Sequence, residues 1–441
     1  MRKRRRTRRG VSLGTIVMLA CTIGVLSGFA SLLPSFTGNQ DILIDAARLA
    51  VAMDDSISQL TVSTSQIIQN HTGSQQAITP PFTSQSSSET SVAPTVVPTA
   101  TPVPKRSFTL CAGGSIEWNT SVRKALTIDK TERYDLLTDQ VQNAMQADLS
   151  MVTLKNTISA SNDLSNVNMP KEILSAVQAM GVNAINVGHS NALNYGIIGI
   201  DETAQEIQNT GMTAFGAKQP TALSLNGVNV ALLHYQDSVS SSGRKQLDEA
   251  ERNKVLFPID LSAITADIAS VREAGAQVVI VTLWWGAEGK DKPSDEQIVQ
   301  VQAIADAGAD IILGTGNGAL QPVQVLSANR GDKKYHPVLC AYSLGNLFSP
   351  DRESRVTLAS ILLNTKVVYD PVNMSVAFEN LTYTPMYAWR GKDHGTTLQR
   401  ILINAPDNLP AFVDSSQQGV MERCMTLVTT LMADTSIPMA K

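Results

Sequence analysis

The sequence is poor in aromatic residues, histidine and cysteine. Aromatic residues make up 5% of its 441 residues, and it contains five His and four Cys. No CxxC pair and no other zinc-binding spacing occurs, which excludes the common structural zinc sites. Cys111 and Cys340 lie in apolar runs typical of strands, where a free cysteine is more often a small buried apolar residue. The cysteines therefore do not indicate a redox compartment.

Basic charge is scarce after the first nine residues. Seven of those nine are Lys or Arg, so the rest of the chain holds 28 basic residues against 39 acidic ones. Binding to the phosphates of nucleic acids needs a basic face, which such a composition does not supply. We therefore expect no nucleic-acid partner.

Residues 11–33 carry no charge. As a helix rising about 1.5 Å per residue, this run is long enough to cross the ~30 Å hydrocarbon core of a bilayer. A cleaved signal peptide is the alternative, although its apolar part usually has about 7–15 residues. The sequence VMLAC, which ends at Cys21, weakly resembles a lipoprotein cleavage site. We predict an uncleaved single-pass anchor in the cell membrane, with residues 1–10 as a cytoplasmic basic tail.

Three further segments follow the predicted anchor. Residues 34–73 contain an apolar stripe typical of a helix and are interpreted as a juxtamembrane helical stalk. Residues 74–106 are rich in Ser, Thr and Pro and cannot bury a core, so we expect a disordered linker. Residues 107–441 are expected to form one extracytoplasmic domain.

Predicted strands and helices alternate in this domain. Strands are expected at 108–113, 150–154, 183–188, 278–283, 310–314 and 338–345. Helices are expected at 133–146, 170–181, 201–211, 261–275, 295–308 and 419–432. Asn226-Gly227 between two apolar runs predicts a tight hairpin, and Ser294 with Gln297 forms a capping-box pattern. With further strands over 355–402, the pattern predicts a layered α/β fold.

Four motifs resemble those of a known family. They are NALNYGIIGIDETAQEIQNTGMTAFGA, VTLWWGAEGKDKPSDEQ, DAGADIILGTGNGALQPVQVL and YSLGNLF. In this order and spacing they resemble the CapA-type poly-γ-glutamate capsule synthesis proteins of the metallophosphoesterase superfamily. The resemblance runs from about residue 107 to the end, and it implies a four-layer α/β/β/α sandwich.

The positions where that family carries divalent metal ligands hold other residue types here. Ser115 stands in place of an Asp, Lys155 in place of a Glu, and Trp284 in place of a His. The other replaced positions are Thr153, Ser190, Asn191, Asn194, Thr315, Gly316 and Gly318. Only Glu288 keeps a charged oxygen, and a dinuclear site needs several carboxylates or imidazoles. We therefore expect no catalytic residue, no metal ligand and no cofactor.

Six residues at the motif positions are predicted to line a degenerate pocket, in which the family's ligands are replaced. These are Ser115, Asn191, Trp284, Glu288, Gln321 and Asn346. Trp284 and Trp285, expected at the start of a loop, either form a stacking surface for a polymer or fill the volume left by the metals. A carboxylate pair among Glu117, Asp148 and Glu288 is an alternative, and His189 is interpreted as a structural histidine.

The favoured function is therefore that of a membrane-anchored, non-catalytic binding or scaffold domain in the biosynthesis of a capsule or cell-surface polymer. Its expected partners are the membrane, and an extracellular polymer or other capsule-assembly proteins. The nearby basic candidates for a polymer contact are residues 330–334, Arg390 and Lys392. One alternative is an active metal-dependent hydrolase with ligands outside the family's positions. Another is a structural envelope protein that oligomerises through residues 41–70.

Overall fold

The computed structural model describes residues 103–160, 167–218, 220–332, 334–350 and 355–440. The predicted basic tail, anchor and stalk, and the linker up to residue 102, lie outside the described residues. Within the described part of the chain, none of the helices has both the length and the apolar content that crossing a bilayer requires. The fold below is that of the compact unit that contains these residues.

The elements alternate as expected for an α/β chain. The strands are β1 (Arg106–Ile116), β2 (Thr127–Ile128), β3 (Thr131–Glu132), β4 (Leu149–Leu154), β5 (Ala184–Asn186), β6 (Thr213–Phe215), β7 (Thr221–Leu225), β8 (Val228–Gln236), β9 (Val278–Trp285), β10 (Ile311–Gly316), β11 (Val323–Ala328), β12 (His336–Ala341), β13 (Asn346–Phe348), β14 (Ala359–Asp370), β15 (Ser375–Asp393) and β16 (Thr396–Ile403). The α-helices are α1 (Thr120–Ala125), α2 (Ile173–Ala179), α3 (Gly196–Asn209), α4 (Ser241–Gln246), α5 (Glu249–Asn253), α6 (Leu261–Glu273), α7 (Asp295–Ala307) and α8 (Ser415–Leu431). Two short 3-10 helices cover Tyr134–Leu137 and Arg355–Thr357.

Most of these strands form two sheets. The larger sheet has the order β16-β15-β14-β1-β4-β5-β6, with β13 beside β1, and the smaller has the order β11-β12-β10-β9-β8-β7. Strands β1, β4, β5 and β6 are parallel to one another, as are β8, β9, β10 and β12. In each sheet the carboxyl ends of these parallel strands therefore lie along one edge, where α/β proteins place their functional groups.

The two sheets pack face to face, and helices cover their outer faces. One apolar cluster contains Phe108 of β1 and Ile280 of β9, so it lies between the sheets. A second cluster joins the larger sheet to α1, α2 and α3, and a third joins the smaller sheet to α6 and α7. Strand β9 is buried on both faces, which explains its continuous apolar sequence. Each of its buried Val and Ile side chains contributes about 1.5–3 kcal/mol to folding.

The predicted fold class and several local predictions are confirmed. The mixed α/β class is as expected, and β7 and β8 form the antiparallel hairpin. Its turn residues Asn226 and Gly227 have φ angles of 49° and 79°, the left-handed pair that a type I′ turn requires. The capping box of Ser294 and Gln297 is formed at the start of α7.

The predicted helix over 133–146 is wrong. Only the 3-10 turn Tyr134–Leu137 forms there, and Asn143 has a φ of 56°, which no α-helix contains. The N–H groups of Asn143 and Met145 donate to the carbonyls of Ala179 and Met180, at 2.9 and 2.7 Å. These carbonyls end α2 and lack partners within their own helix. A tertiary contact has therefore replaced the local helix.

Some element boundaries also differ from the prediction. Trp284 and Trp285 do not open a loop, because β9 continues through both and pairs with Thr315 and Gly316 of β10. The first strand begins at Arg106, which pairs with Tyr369 of β14. Strand β11 was not predicted from the sequence.

Candidate functional site

Trp284 fills the space at the carboxyl end of β9. Its side chain is 3% exposed, and its ring meets the His189 ring edge to face with centroids 6.0 Å apart. A Cβ atom on Gly316 would lie 3.0 Å from the indole, so the glycine makes room for the tryptophan. The Trp285 ring is equally buried and donates through Nε1 to the Tyr342 carbonyl at 2.9 Å. Both rings are buried, so the stacking-surface interpretation is wrong.

An ion pair lies beside Trp284. Glu117 and Lys155 directly follow β1 and β4, whose last residues Ile116 and Leu154 are paired in register. The Lys155 Nζ atom is 3.1 Å from Glu117 Oε2 and 5.9 Å from the centroid of the Trp284 ring. Only 15% of the lysine side chain and 25% of the glutamate side chain are exposed. The Lys155 ammonium thus places a positive charge at the ends of these strands.

Ser115 and Asn346 are joined at the end of β1. The Ser115 hydroxyl donates to Asn346 Oδ1 at 2.6 Å, and both residues are buried. Their strands β1 and β13 pair in parallel at this position. Gly318 approaches the same amide, because a Cβ atom there would lie 3.2 Å from Asn346 Nδ2. The oxygen atoms of both side chains are therefore engaged in a hydrogen bond within the protein.

A network of neutral side chains connects the two sheets. Asn186 Nδ2 lies 3.4 Å from Thr153 Oγ1 and 3.1 Å from His234 Nδ1, and His234 Nδ1 lies 2.9 Å from Thr282 Oγ1. The Thr315 hydroxyl donates to Thr153 at 3.5 Å. Burial lowers the pKa of His234 to about 3, so the imidazole is neutral at physiological pH.

Little space is left within this network. The cavity bordered by Gly113, Thr153, Thr282 and Thr315 offers about 10 Å³ to a water-sized molecule. That volume holds no more than about one water molecule. A substrate therefore does not fit between the sheets at this point.

His189 is a structural histidine, as predicted. Its ring is buried, and its Nδ1 accepts a hydrogen bond from the backbone N–H of Asn191 at 3.1 Å. Burial, together with the Lys155 ammonium and repulsion from His234 when both imidazoles are protonated, lowers its pKa to about 3. The Asn191 side chain itself is only half-buried.

Gln321 and Glu288 do not join the buried residues at the ends of the parallel strands. Gln321 donates through Nε2 to the carbonyls of Lys290 and Lys292, at 3.1 and 2.9 Å, and so holds the loop that follows β9. The Glu288 side chain is exposed in that loop. Of the six predicted pocket residues, the structure therefore buries Ser115, Trp284 and Asn346 at the strand ends.

Asp148 does not join the carboxylate pair considered from the sequence. Asp148 accepts hydrogen bonds from the backbone and side chain of Thr109, both at 2.8 Å, near the beginning of β1. Glu117 follows the other end of the same strand and pairs with Lys155. Asp148 and Glu117 thus do not meet as an acid and a base for hydrolysis.

The donor set at the strand ends does not fit a dinuclear metal centre. Ser115, Thr153, Asn186 and Thr315 supply neutral oxygens that are already hydrogen-bonded, and Trp284 supplies no lone pair. Among the residues that the structure describes, there is no group of three or more His, Cys, Asp or Glu that could hold a metal ion. Divalent transition metals need such ligands.

A groove lies next to the loop that follows β9. It has a volume of about 890 Å³ and includes the exposed side chains of Lys290 and Lys292. Its other lining residues are Gln236, Asp237, Ser238, Pro258, Ile259, Trp285, Gly286, Ala287, Ser294, Glu296, Gln297 and Gln300. This groove is large enough for a segment of an extended polymer.

The Glu117–Lys155 ion pair was not predicted from the sequence. Its signal is that an acidic residue follows β1, a basic residue follows β4, and the two parallel strands end in register. That register depends on how β1 and β4 align, which their sequences alone do not specify.

Three comparisons relate the chain to known proteins. The model of the bacterial capsule synthesis protein family PGA_cap matches residues 109–351, more than half of the chain. The PGA biosynthesis protein CapA of Bacillus subtilis is 29% identical over 185 residues, which are 40% of this chain and 45% of that protein. The capsule biosynthesis protein CapA of Bacillus anthracis is 28% identical over 183 residues, 40% of this chain and 42% of that protein. The chain thus spans less than half the length of these relatives.

Solved structures with similarity to the chain include a phosphoesterase and a phosphatase. A calcineurin-like phosphoesterase from Bacillus subtilis has a TM-score of 0.38 at 12% identity, covering 74% of this chain and 99% of that structure. A phosphatase from Mycoplasma pneumoniae has the same TM-score and identity, covering 64% of this chain and 95% of that structure.

Proposed function

Since the chain belongs to the bacterial capsule synthesis protein family PGA_cap, we propose that it acts in capsule or cell-surface polymer biosynthesis as a non-catalytic binding or scaffold protein. The proposal follows from what occupies the ends of the parallel strands. A functional site of this class would need open ligand positions there, and this chain fills them with side chains.

The observation that carries the proposal is the position of Lys155. Its ammonium lies 3.1 Å from Glu117 Oε2 and 5.9 Å from the centroid of the Trp284 ring, and it neutralises the partly buried carboxylate. A divalent cation at the same place would meet a like charge a few ångströms away, which is strongly unfavourable in a partly buried site. Without a bound metal, neither a Lewis acid nor a metal-activated water is available for hydrolysis.

We place the polymer contact in the groove with Lys290 and Lys292. Arg330, one of the basic candidates from the sequence, is engaged with the Ala309 carbonyl and with Asp310, at 2.7 and 3.1 Å. The two groove lysines are exposed, and Asp237 and Glu296 of the same groove give it a mixed charge. An anionic polymer with hydrogen-bonding groups matches such a lining better than a purely apolar ligand.

We further propose that residues 11–33 anchor the chain in the cell membrane and that the domain lies outside the cell. The support is in the sequence, where seven basic residues precede an uncharged run of 23. Basic residues of this kind remain on the cytoplasmic side. Protease treatment of intact cells should remove the domain and leave a short membrane-bound fragment. A mature chain that begins after residue 20 would contradict the anchor.

The absence of metal chemistry is tested on the purified chain. We expect no stoichiometric Mn, Fe or Zn by elemental analysis, and no cleavage of phosphoester or γ-glutamyl model substrates. Trp284→His should not restore either property, because the other ligand positions remain occupied by neutral groups. Stoichiometric metal together with turnover that Glu288→Ala abolishes would overturn the proposal in favour of a hydrolase.

The groove is tested separately, by the retention of the chain on immobilised polyglutamate. The double variant Lys290→Ser/Lys292→Ser should be retained less than the wild type. Lys124→Ser/Lys130→Ser, which also removes two exposed lysines but lies away from the groove, serves as the matched control. Equal retention of both double variants would exclude the groove as the contact.

A further inference from the structure

The turn between β14 and β15 exposes two large apolar side chains. Val372 is 67% exposed and Met374 is 74% exposed. The turn itself is well held, because Asp370 Oδ1 accepts from the N–H groups of Val372 and Asn373 at 3.0 and 3.2 Å. Two apolar side chains are therefore presented to solvent on an ordered turn, which we call the hairpin tip (residues 371–374).

Folding alone does not explain a methionine at this tip. Met374 has a φ of 50°, a left-handed conformation that favours Gly or Asn. The unbranched side chain is exposed and so gains little from packing within the domain. A residue that is unfavourable for the turn and unburied in the fold is more easily explained by a contact outside the domain.

The described chain also begins at this end of the molecule. Arg106 pairs with Tyr369, and Lys105 Nζ lies 3.4 Å from Asp370 Oδ2. Val103, which is 53% exposed, precedes them. The residues before 103, including the proposed anchor, thus connect to the domain next to the hairpin tip.

The candidate site lies at the opposite end. Strand β1 runs from Arg106, beside the tip, to Ile116, beside Glu117 and Trp284. Its 11 residues at about 3.3 Å each span roughly 35 Å. The loop with Lys290 and Lys292 follows the carboxyl end of β9 and lies at the same far end.

We propose that the hairpin tip inserts into the interface of the lipid bilayer that holds the anchor. This inference rests on the proposed anchor. Between the predicted stalk and residue 103 the predicted linker has 29 residues, and a flexible linker of that length has a mean end-to-end distance of roughly 30 Å. The bilayer is then the apolar surface at the highest local concentration, so that a weak contact suffices.

The orientation that results has a functional consequence. With the tip in the bilayer, the groove and the strand-end site face away from the membrane. A surface polymer would then be bound roughly 35 Å above the bilayer, which is about the length of β1.

The test uses the full chain reconstituted into liposomes that contain brominated lipid, a quencher of indole fluorescence. Met374→Trp places a reporter at the tip, and Val299→Trp on α7 is the matched control, because Val299 is 65% exposed. The native tryptophans are buried and contribute the same background to both variants. We expect a blue shift and a loss of emission for Met374→Trp only. Adding Val372→Asp to Met374→Trp should reverse both effects.

Two outcomes would overturn the inference. Equal quenching of the two reporters is one, and a blue shift of Met374→Trp that depends on protein concentration in lipid-free detergent is the other, since it would indicate a second copy of the chain. An alkaline wash of the liposomes separates the tip from the anchor. Chains that are retained but unquenched would refute the tip alone. Chains that are quenched and then washed off would refute the anchor alone, and chains neither retained nor quenched would refute both.

Discussion

A tryptophan occupies the end of the central strand β9 at a position suited to a ligand. Trp284 packs against His189, Lys155 and Gly316, so its role is to fill volume. Removing a buried aromatic side chain leaves a cavity that the surrounding residues fill only in part. At the residue scale, the site is therefore maintained by packing, by buried hydrogen bonds and by one ion pair.

Trp284→Ala should destabilise the fold. The expected loss is about 3–5 kcal/mol in the free energy of unfolding, as for other large-to-small substitutions in cores. Denaturant titration at pH 7 measures it, and Trp284→Phe should lose less because most of the volume is kept. A loss below about 1 kcal/mol for Trp284→Ala would show that the ring is not part of the packed core.

The two buried histidines should make stability depend on pH. Burial lowers the pKa of His189 and of His234 to about 3 in the folded chain, whereas an unfolded histidine titrates near 6.5. The unfolded state therefore binds more protons between these values, and stability falls as the pH falls from about 6.5 towards 3. The loss should approach about 1.4 kcal/mol per pH unit for each histidine.

Denaturant titrations at pH 7, 6 and 5 measure this slope. His234→Gln should reduce it, whatever its effect on stability at pH 7. His394→Gln is the control, because the His394 side chain is 98% exposed. A slope that His234→Gln leaves unchanged would contradict the assignment.

At the element scale, the position of the site follows from strand register and from the loops that the helices hold. The capping box of Ser294 and Gln297 begins α7 directly after the loop with Lys290 and Lys292. Gln321 holds the same loop from the other side through its bonds to the two lysine carbonyls. The shape of the groove therefore depends on where α7 begins and on how Gln321 holds the loop.

Ser294→Ala should weaken the start of α7. The Ser294 hydroxyl accepts the N–H of Gln297 at 3.2 Å, and losing such a cap costs about 0.5–2 kcal/mol. The shift of the denaturation midpoint measures the cost. Ser262→Ala is the matched control, because Ser262 is exposed at the start of α6, where Asp260 is the cap. Equal shifts for the two variants would contradict the role of the cap.

At the scale of the whole molecule, the domain is held by three apolar clusters. Their buried residues begin with Phe108, Cys111 and Ala231. A chain that starts at residue 103 retains all of them and should unfold in one cooperative transition.

Circular dichroism and tryptophan fluorescence, followed during urea unfolding, check this expectation by the coincidence of their transitions. A chain that starts at residue 112 is the comparison, because it lacks six of the seven β1 residues that pair with β14 and two of the five that pair with β4. That shorter chain should not fold. If the chain from residue 103 also fails to fold, the boundary predicted from the sequence is wrong.

The sequence by itself determined the features that depend on neighbouring residues. The Asn226-Gly227 turn, the capping box of α7 and the buried strand β9 each follow from short patterns, because their physical causes act within a few residues. The motif order also indicated the family correctly. The resemblance of the motifs also implied that the family's usual metal ligands are replaced here.

Only the tertiary structure decided how the residues at the strand ends pack and pair. The segment 133–146 has a helical pattern but gives its N–H groups to the end of α2, a contact about 35 residues away in the chain. Glu117 and Lys155 form a pair because β1 and β4 align in one register, and Trp284 is buried because both sheets and His189 enclose it. Such contacts join residues that are distant in sequence, and their energies depend on the packing of the whole domain. No local pattern therefore specifies them.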